Sequence, residues 1–239
     1  MKRKLFVAVI FITSLFYQQQ LTAQWGTKGN GHVIKSSREI SGITKINVKS
    51  GIDLYISTGD GQETCVIEAD ENLHDLIKTK VSGNQLDIYL SRSVNKAKSL
   101  KVYLNLNALE EIVAHQGSDV QSINTIKFNK LNIVCNSGSD ADIQLDGNEI
   151  NCECNSGSDI TLSGNVEVLK IDVNGGSDVE AYKLKAKDVY IHATSGSDAE
   201  IYADRKLFVR ASSGSDVDYK GNPNPIDVEL SSGADLGSN

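Results

Sequence analysis

The chain has 239 residues, 39% of them apolar and 6% aromatic, with 24 lysines and arginines against 31 aspartates and glutamates and a net charge of -7. That length admits one or two domains. The acidic excess argues against nucleic acid and anionic membrane surfaces as partners, because both present phosphate of like charge, and it leaves cations, neutral glycans and proteins.

Lys2, Arg3 and Lys4 precede an apolar run from Leu5 to Phe16, and Leu21-Thr22-Ala23 offers a small residue before Gln24. This pattern predicts a secretory signal peptide over residues 1–23. An uncleaved anchor is the competing reading, but a membrane-spanning helix needs about 20 apolar residues. Without Lys2, Arg3 and Lys4, 21 basic residues face 31 acidic ones, a net charge of -10. No later segment is apolar enough to cross a bilayer.

Residues 24–239 read as one structural unit, since no Pro-rich or Gly/Ser linker divides them. Within it, residues 24–111 form an irregular β-rich cap. Asn30 to Arg38 is polar and extended or mobile. Ile43 to Val48 alternates, and Ser50-Gly51 turns into the alternating Ile52 to Ile56. Thr64 to Ala69 reads as a strand. Asp70 to Ile77 predicts a short helix with Asp70 as its N-cap. Lys78 to Val81 and Gln85 to Leu90 predict a hairpin across Ser82-Gly83-Asn84. Leu100 to Leu106 alternates again.

Residues 112–239 repeat. A corner of Gly-Ser-Asp type recurs at Gly117-Ser118-Asp119, Gly138-Ser139-Asp140, Gly157-Ser158-Asp159, Gly176-Ser177-Asp178, Gly196-Ser197-Asp198, Gly214-Ser215-Asp216 and Gly233-Ala234-Asp235. The glycines are 21, 19, 19, 20, 18 and 19 residues apart. Five residues before them stand Ile112, Ile133, Cys152, Ile171, Ile191, Val209 and Val228. Three before stand Ala114, Cys135, Cys154, Val173, Ala193, Ala211 and Leu230. The positions between are mostly polar, with Val134, Tyr190 and Phe208 as exceptions. Alternation resumes after the aspartate, with Val120, Ala141, Ile160, Val179, Ala199, Val217 and Leu236 turned inward.

Period-two alternation on a period near 20 predicts stacked coils that pair strand on strand. The fold expected is an all-β, right-handed, single-stranded parallel β-helix, right-handed because crossovers between parallel strands are. An antiparallel sandwich competes, but hairpins would alternate their turn chemistry, whereas one corner recurs here at one phase. The glycines supply positive φ at the corner. The Ser and Asp side chains can accept corner amide protons. Alternatively, the Asp119, Asp140, Asp159, Asp178, Asp198, Asp216 and Asp235 column faces a ligand, since carboxylates about 4.8 Å apart repel unless neutralised. A calcium row is conceivable on that ground. The nine-residue calcium repeat is absent, so the reading includes no metal and no cofactor. Cys135 and Cys154 fall in neighbouring coils, either bridged or simply small buried residues.

The opening around Ile46 to Ile56, the stretch Val81-Ser82-Gly83-Asn84-Gln85-Leu86-Asp87-Ile88, the corner series and the closing Tyr219-Lys220-Gly221-Asn222-Pro223 before Ser232-Gly233 carry a resemblance. Over about residues 36–239 the chain resembles the bacterial family described as putative auto-transporter adhesin, head GIN domain. The resemblance implies a secreted β-helix-like protein and transfers no catalytic residues. No translocator barrel is expected after Asn239.

Phosphate-loop, His-Glu-x-x-His and Gly-x-Ser-x-Gly motifs are missing. His115 and His192 occupy surface positions. The reading is a non-enzymatic binding or adhesion module of the cell envelope, exported to the periplasm, the outer-membrane surface or the exterior, that offers flat polar faces to a glycan or a surface protein. The alternatives are an envelope scaffold without a small ligand and a glycan-active enzyme using surface aspartates. The repetition of the acids with the fold weighs against the enzyme, which needs one locally distinct pair.

Overall fold

The computed structural model describes residues 26–239. The signal peptide expected over residues 1–23 lies outside them. Nineteen strands follow one another, with a single 3-10 turn at Glu71–Leu73 as the only helical element among the described residues. The first nine are β1 (Thr27–Lys28), β2 (Val33–Arg38), β3 (Lys45–Lys49), β4 (Asp53–Thr58), β5 (Thr64–Asp70), β6 (Ile77–Ser82), β7 (Gln85–Leu90), β8 (Val94–Lys96) and β9 (Leu100–Leu106). The repeat region contributes β10 (Glu111–His115), β11 (Val120–Ser122), β12 (Ile126–Asn136), β13 (Asp140–Asn155), β14 (Asp159–Asn174), β15 (Asp178–Thr194) and β16 (Asp198–Ser212). It closes with β17 (Asp216–Lys220), β18 (Ile226–Leu230) and β19 (Asp235–Ser238).

The repeats stack as a parallel β-solenoid. Asp140 pairs with Asp159 at one end of β13 and Asn155 with Asn174 at the other, so a coil matches its neighbour residue for residue between corners. Strands before the glycine form a first sheet, and strands after the aspartate a second. The middle of β12 to β16 forms a third side. Inward columns such as Ile112, Ile133, Cys152, Ile171, Ile191 and Val209 are buried throughout. One such aliphatic side chain contributes roughly 1.5–3 kcal/mol on burial, and stacking repeats that contribution in every coil.

The region before Glu111 departs from the expected cap in an informative way. β3 pairs in parallel with β10, and β4 with β11. Residues 45–58 are therefore a regular coil, stacked on the first Gly-Ser-Asp coil although residues 59–110 separate the two in sequence. Its Ser50-Gly51 corner has φ of 77° and 68°. Below it the sheets turn antiparallel. β6 closes the first sheet on β7, as the expected hairpin, and β2 closes the second on β5.

The helix expected from Asp70 to Ile77 shrinks to the turn at Glu71–Leu73, and Asp70 caps nothing with its side chain. Its carboxylate instead accepts the amides of Gly31, Lys98 and Ser99 at 2.5, 2.7 and 3.2 Å. Burial works against the charge, but these amides outweigh it and hold the Asp70 carboxyl below the usual carboxylate range. A buried carboxylate gains more from three charge-assisted bonds than from one cap.

Cys135 and Cys154 lie side by side in the register but form no bridge, and all four cysteines are free and buried. The Cys154 thiol is directed to the Ser158 carbonyl at 2.9 Å. Burial raises the thiols of Cys65 to about 11 and of Cys154 to about 12.

Candidate functional site

The corner sorts its three residues by direction. Gly117, Gly138, Gly157, Gly176, Gly196, Gly214 and Gly233 all adopt left-handed φ, between 64° and 77°. The residue before each does so too: Gln116, Ser137, Ser156, Gly175, Ser195, Ser213 and Ser232 have φ between 53° and 69°. Two successive left-handed residues turn the chain sharply enough to send the serine inward and the aspartate out.

Ser118, Ser139, Ser158, Ser177, Ser197 and Ser215 are fully buried. In the earlier coils their hydroxyls accept from the coil below: Ile52 donates to Ser118, Ser118 to Ser139, Ser139 to Ser158 and Ser158 to Ser177, each at 3.2 Å. In later coils Ser197 and Ser215 accept the amides of Thr194 and Ser212 in their own coil. The serines satisfy amides that the corner would otherwise strand, a cost of about 1–3 kcal/mol each.

The aspartates do not share this work equally. Asp140 accepts the Asp159 amide at 3.3 Å, while the amides of Asp178, Asp198, Asp216 and Asp235 go to serine carbonyls in the preceding coil. The column stands in register on the outside and gains an eighth member, Asp53, beside Asp119. Partial burial, then Asp140 and Asp53, push the Asp119 carboxyl up. Burial, Asp140 and Asp178 do the same to Asp159, and burial, Asp178 and Asp216 to Asp198. Asp53, Asp119, Asp140, Asp142, Asp159, Asp178 and Glu180 border an acidic trough of about 400 Å³. Among the described residues, no three His, Cys, Asp or Glu side chains come together as a metal site.

A larger groove, about 700 Å³, runs along the outside of the first sheet. Two outward columns wall it. One carries Asn132, Asn151, Lys170, Tyr190, Phe208 and Asp227, and the other Val134, Glu153, Asp172, His192, Arg210 and Glu229. The rings of Tyr190 and Phe208 stack with centroids 4.8 Å apart and planes 3° apart, because the register sets them on neighbouring strands. Asn151 donates to Asn132 at 2.9 Å, yet its own Oδ1 is buried without a partner. His192 faces Asp172 at 3.4 Å, and Arg210 meets Glu229 at 3.1 Å. The sequence marked Tyr190 and Phe208 only as breaks in a polar pattern. Their repeat phase was the signal that they share a wall.

This solenoid, with its inward serines and outward aspartates, defines a class: an all-β repeat scaffold whose chemistry lies on its flanks. Its sequence matches the family model for the putative auto-transporter adhesin, head GIN domain, over residues 42–223, and the chain belongs to that family. Solved structures share the fold. A putative adhesin from Bacteroides fragilis superposes with a TM-score of 0.80 at 23% identity, covering 89% of this chain and 99% of that one. A putative lipid binding protein from Parabacteroides distasonis gives 0.73 at 19%, covering 89% and 98%. A putative adhesin from Parabacteroides merdae gives 0.67 at 18%, covering 89% and 98%. No curated protein matches the chain. Among the described residues no helix is long and apolar enough to cross a membrane.

Proposed function

We propose that the chain is an exported, non-enzymatic binding or adhesion module of the cell envelope, working as one unit over residues 24–239, and that its first sheet presents the binding face to a glycan or a surface protein. The observation that carries this reading is the groove along that sheet, where the stacked pair of exposed Tyr190 and half-buried Phe208 sits among amides and charges of both signs. Such a surface offers apolar contact to one side of a ligand and hydrogen bonds to the other, the mixture that small-ligand and protein sites share. The acidic column is a second, ligand-facing surface of the same module. Its carboxylates recur in every coil rather than forming one distinct pair, which favours display over catalysis.

A glycan array and an array of surface proteins, probed with the processed chain, test the reading. Specific binding that falls at least about tenfold in a Tyr190→Ala/Phe208→Ala variant, the loss of a central aromatic contact, is the expected result. Two silent arrays favour the scaffold reading instead. Turnover of an array glycan that a single Asp→Asn change abolishes favours the enzyme.

A further inference from the structure

The two ends of the solenoid are unlike. At one end β18 pairs only with β16 among the described strands. Its inward residues Ile226, Val228 and Leu230 would be core in any other coil, but here they are 44%, 36% and 43% exposed. Its outward residues are Asp227 and Glu229, both exposed. At the other end β6 pairs, among the described strands, only with β7. There Val81, turned toward the core side opposite Leu86, is 45% exposed, and the outward residues are Lys78 and Lys80.

We propose that copies of this chain associate head to tail, β18 of one adding antiparallel to β6 of the next. Both strands belong to the first sheet, one at each extremity, so a second copy continues that sheet. In the in-phase register Ile226 lies opposite Val81, Val228 opposite Thr79 and Leu230 opposite Ile77. The same register sets Asp227 opposite Lys80 and Glu229 opposite Lys78. Two of the three inner pairs are apolar, with Thr79 the exception, and both outer pairs join opposite charges, the pairing that stabilises neighbouring strands.

Contacts between like ends fail the same test. Every in-phase antiparallel pairing of β18 with another β18 opposes Asp227 or Glu229 to an acid, and every such pairing of β6 opposes lysine to lysine. Charged outward residues of one sign guard an edge against itself. Here the two guards have opposite signs. Glu229 already meets Arg210, whereas Asp227 has no ion pair among the described residues.

The second sheet extends one strand further at the β6 end, because β2 lies beyond β5. The incoming β19, four residues held among the described strands only by β17, yields its place to β2. A heterologous contact of this kind does not close on itself and grows an open fibre.

Sedimentation velocity of the processed chain across micromolar to millimolar concentrations reads the association. Two charge-reversed variants, Lys78→Glu/Lys80→Glu and Asp227→Lys/Glu229→Lys, alter exposed side chains only and should melt within a few degrees of wild type, since the lost surface pair of Arg210 and Glu229 contributes little. Each alone has two ends of one sign, and its self-association should weaken roughly tenfold or more. Mixed in equal amounts, the two should assemble again. A wild type that stays monomeric over the whole range overturns the proposal. So does growth that stops at a dimer, a variant that assembles like the wild type, or a mixture that stays apart.

Discussion

Gly176→Ala and Gly164→Ala separate two jobs that glycine does here. Gly176 sits at a corner with φ of 66°, and a Cβ added there would come no closer than 3.9 Å to the Gly196 carbonyl oxygen. The substitution meets open space and loses only the left-handed preference, about 1–2 kcal/mol. Gly164 lies on the third side of the solenoid with φ of 119°, and its Cβ would stand 1.8 Å from the Leu145 oxygen. No rotamer relieves a backbone contact of that kind. The ladder between the two coils must open, at a loss of about 1 kcal/mol for each hydrogen bond broken in addition to the strain, so a total above about 4 kcal/mol is expected. Each kcal/mol shifts the melting temperature by about 2–4 °C at this size. Urea denaturation of the two variants beside wild type gives the comparison. A Gly176→Ala variant as destabilised as Gly164→Ala would refute the division of labour.

The raised carboxyls of Asp53, Asp119, Asp159 and Asp198 bind protons more readily folded than unfolded, so stability should grow as the pH falls from 7 through their raised values and level off near the unfolded value of about 4. Glu149, held low by Lys170 and Lys130, and Asp188, held low by Arg205, lose their contribution only below about pH 4. Thermal melts from pH 7 to 3 should rise and then fall; a steady decline from pH 7 would contradict the column's repulsion. Asp159→Asn should stabilise by about 0.5 kcal/mol at neutral pH, a solvent-screened value, and the gain should shrink in concentrated salt. Ser158→Ala strands the Ser139 amide and should cost about 1–3 kcal/mol in chemical denaturation, a value an exposed serine would not reach. Asp70→Ala releases three amides in the N-terminal cap and should cost about 3 kcal/mol; hydrogen exchange should quicken first at Gly31, Lys98 and Ser99.

The solenoid was legible because its coils carry the same residues at the same phase, from the Ile133 column to the corner glycines. The topology of residues 45–58 was not, since the strand that β10 pairs with lies about sixty residues earlier and only the Ser50-Gly51 corner hints at it. Asp70 misled for a physical reason. It precedes an apolar spacing that suits a helix, yet the amides that capture it come from Gly31, Lys98 and Ser99, remote in sequence. The left-handed residues before the corner glycines, serine at five of the seven, gave no signal, because serine has no special tolerance for positive φ. The serine ladder was half visible: the corner suggested side chains accepting amides, and the fold gives most of that task to serines such as Ser139 and Ser158, with Asp140 also accepting the Asp159 amide from its outward position. The groove was hidden because Tyr190 and Phe208, eighteen residues apart, become a wall only when the register brings their rings together.

An NMR titration of the isotopically labelled chain with whichever array ligand it retains maps the contact directly. Shifts gathered along Asn132, Asn151, Lys170, Tyr190 and Phe208, with little change along Asp119, Asp159 and Asp198, are the pattern the account predicts. Shifts confined to the aspartate column, or spread over no single face, would contradict it.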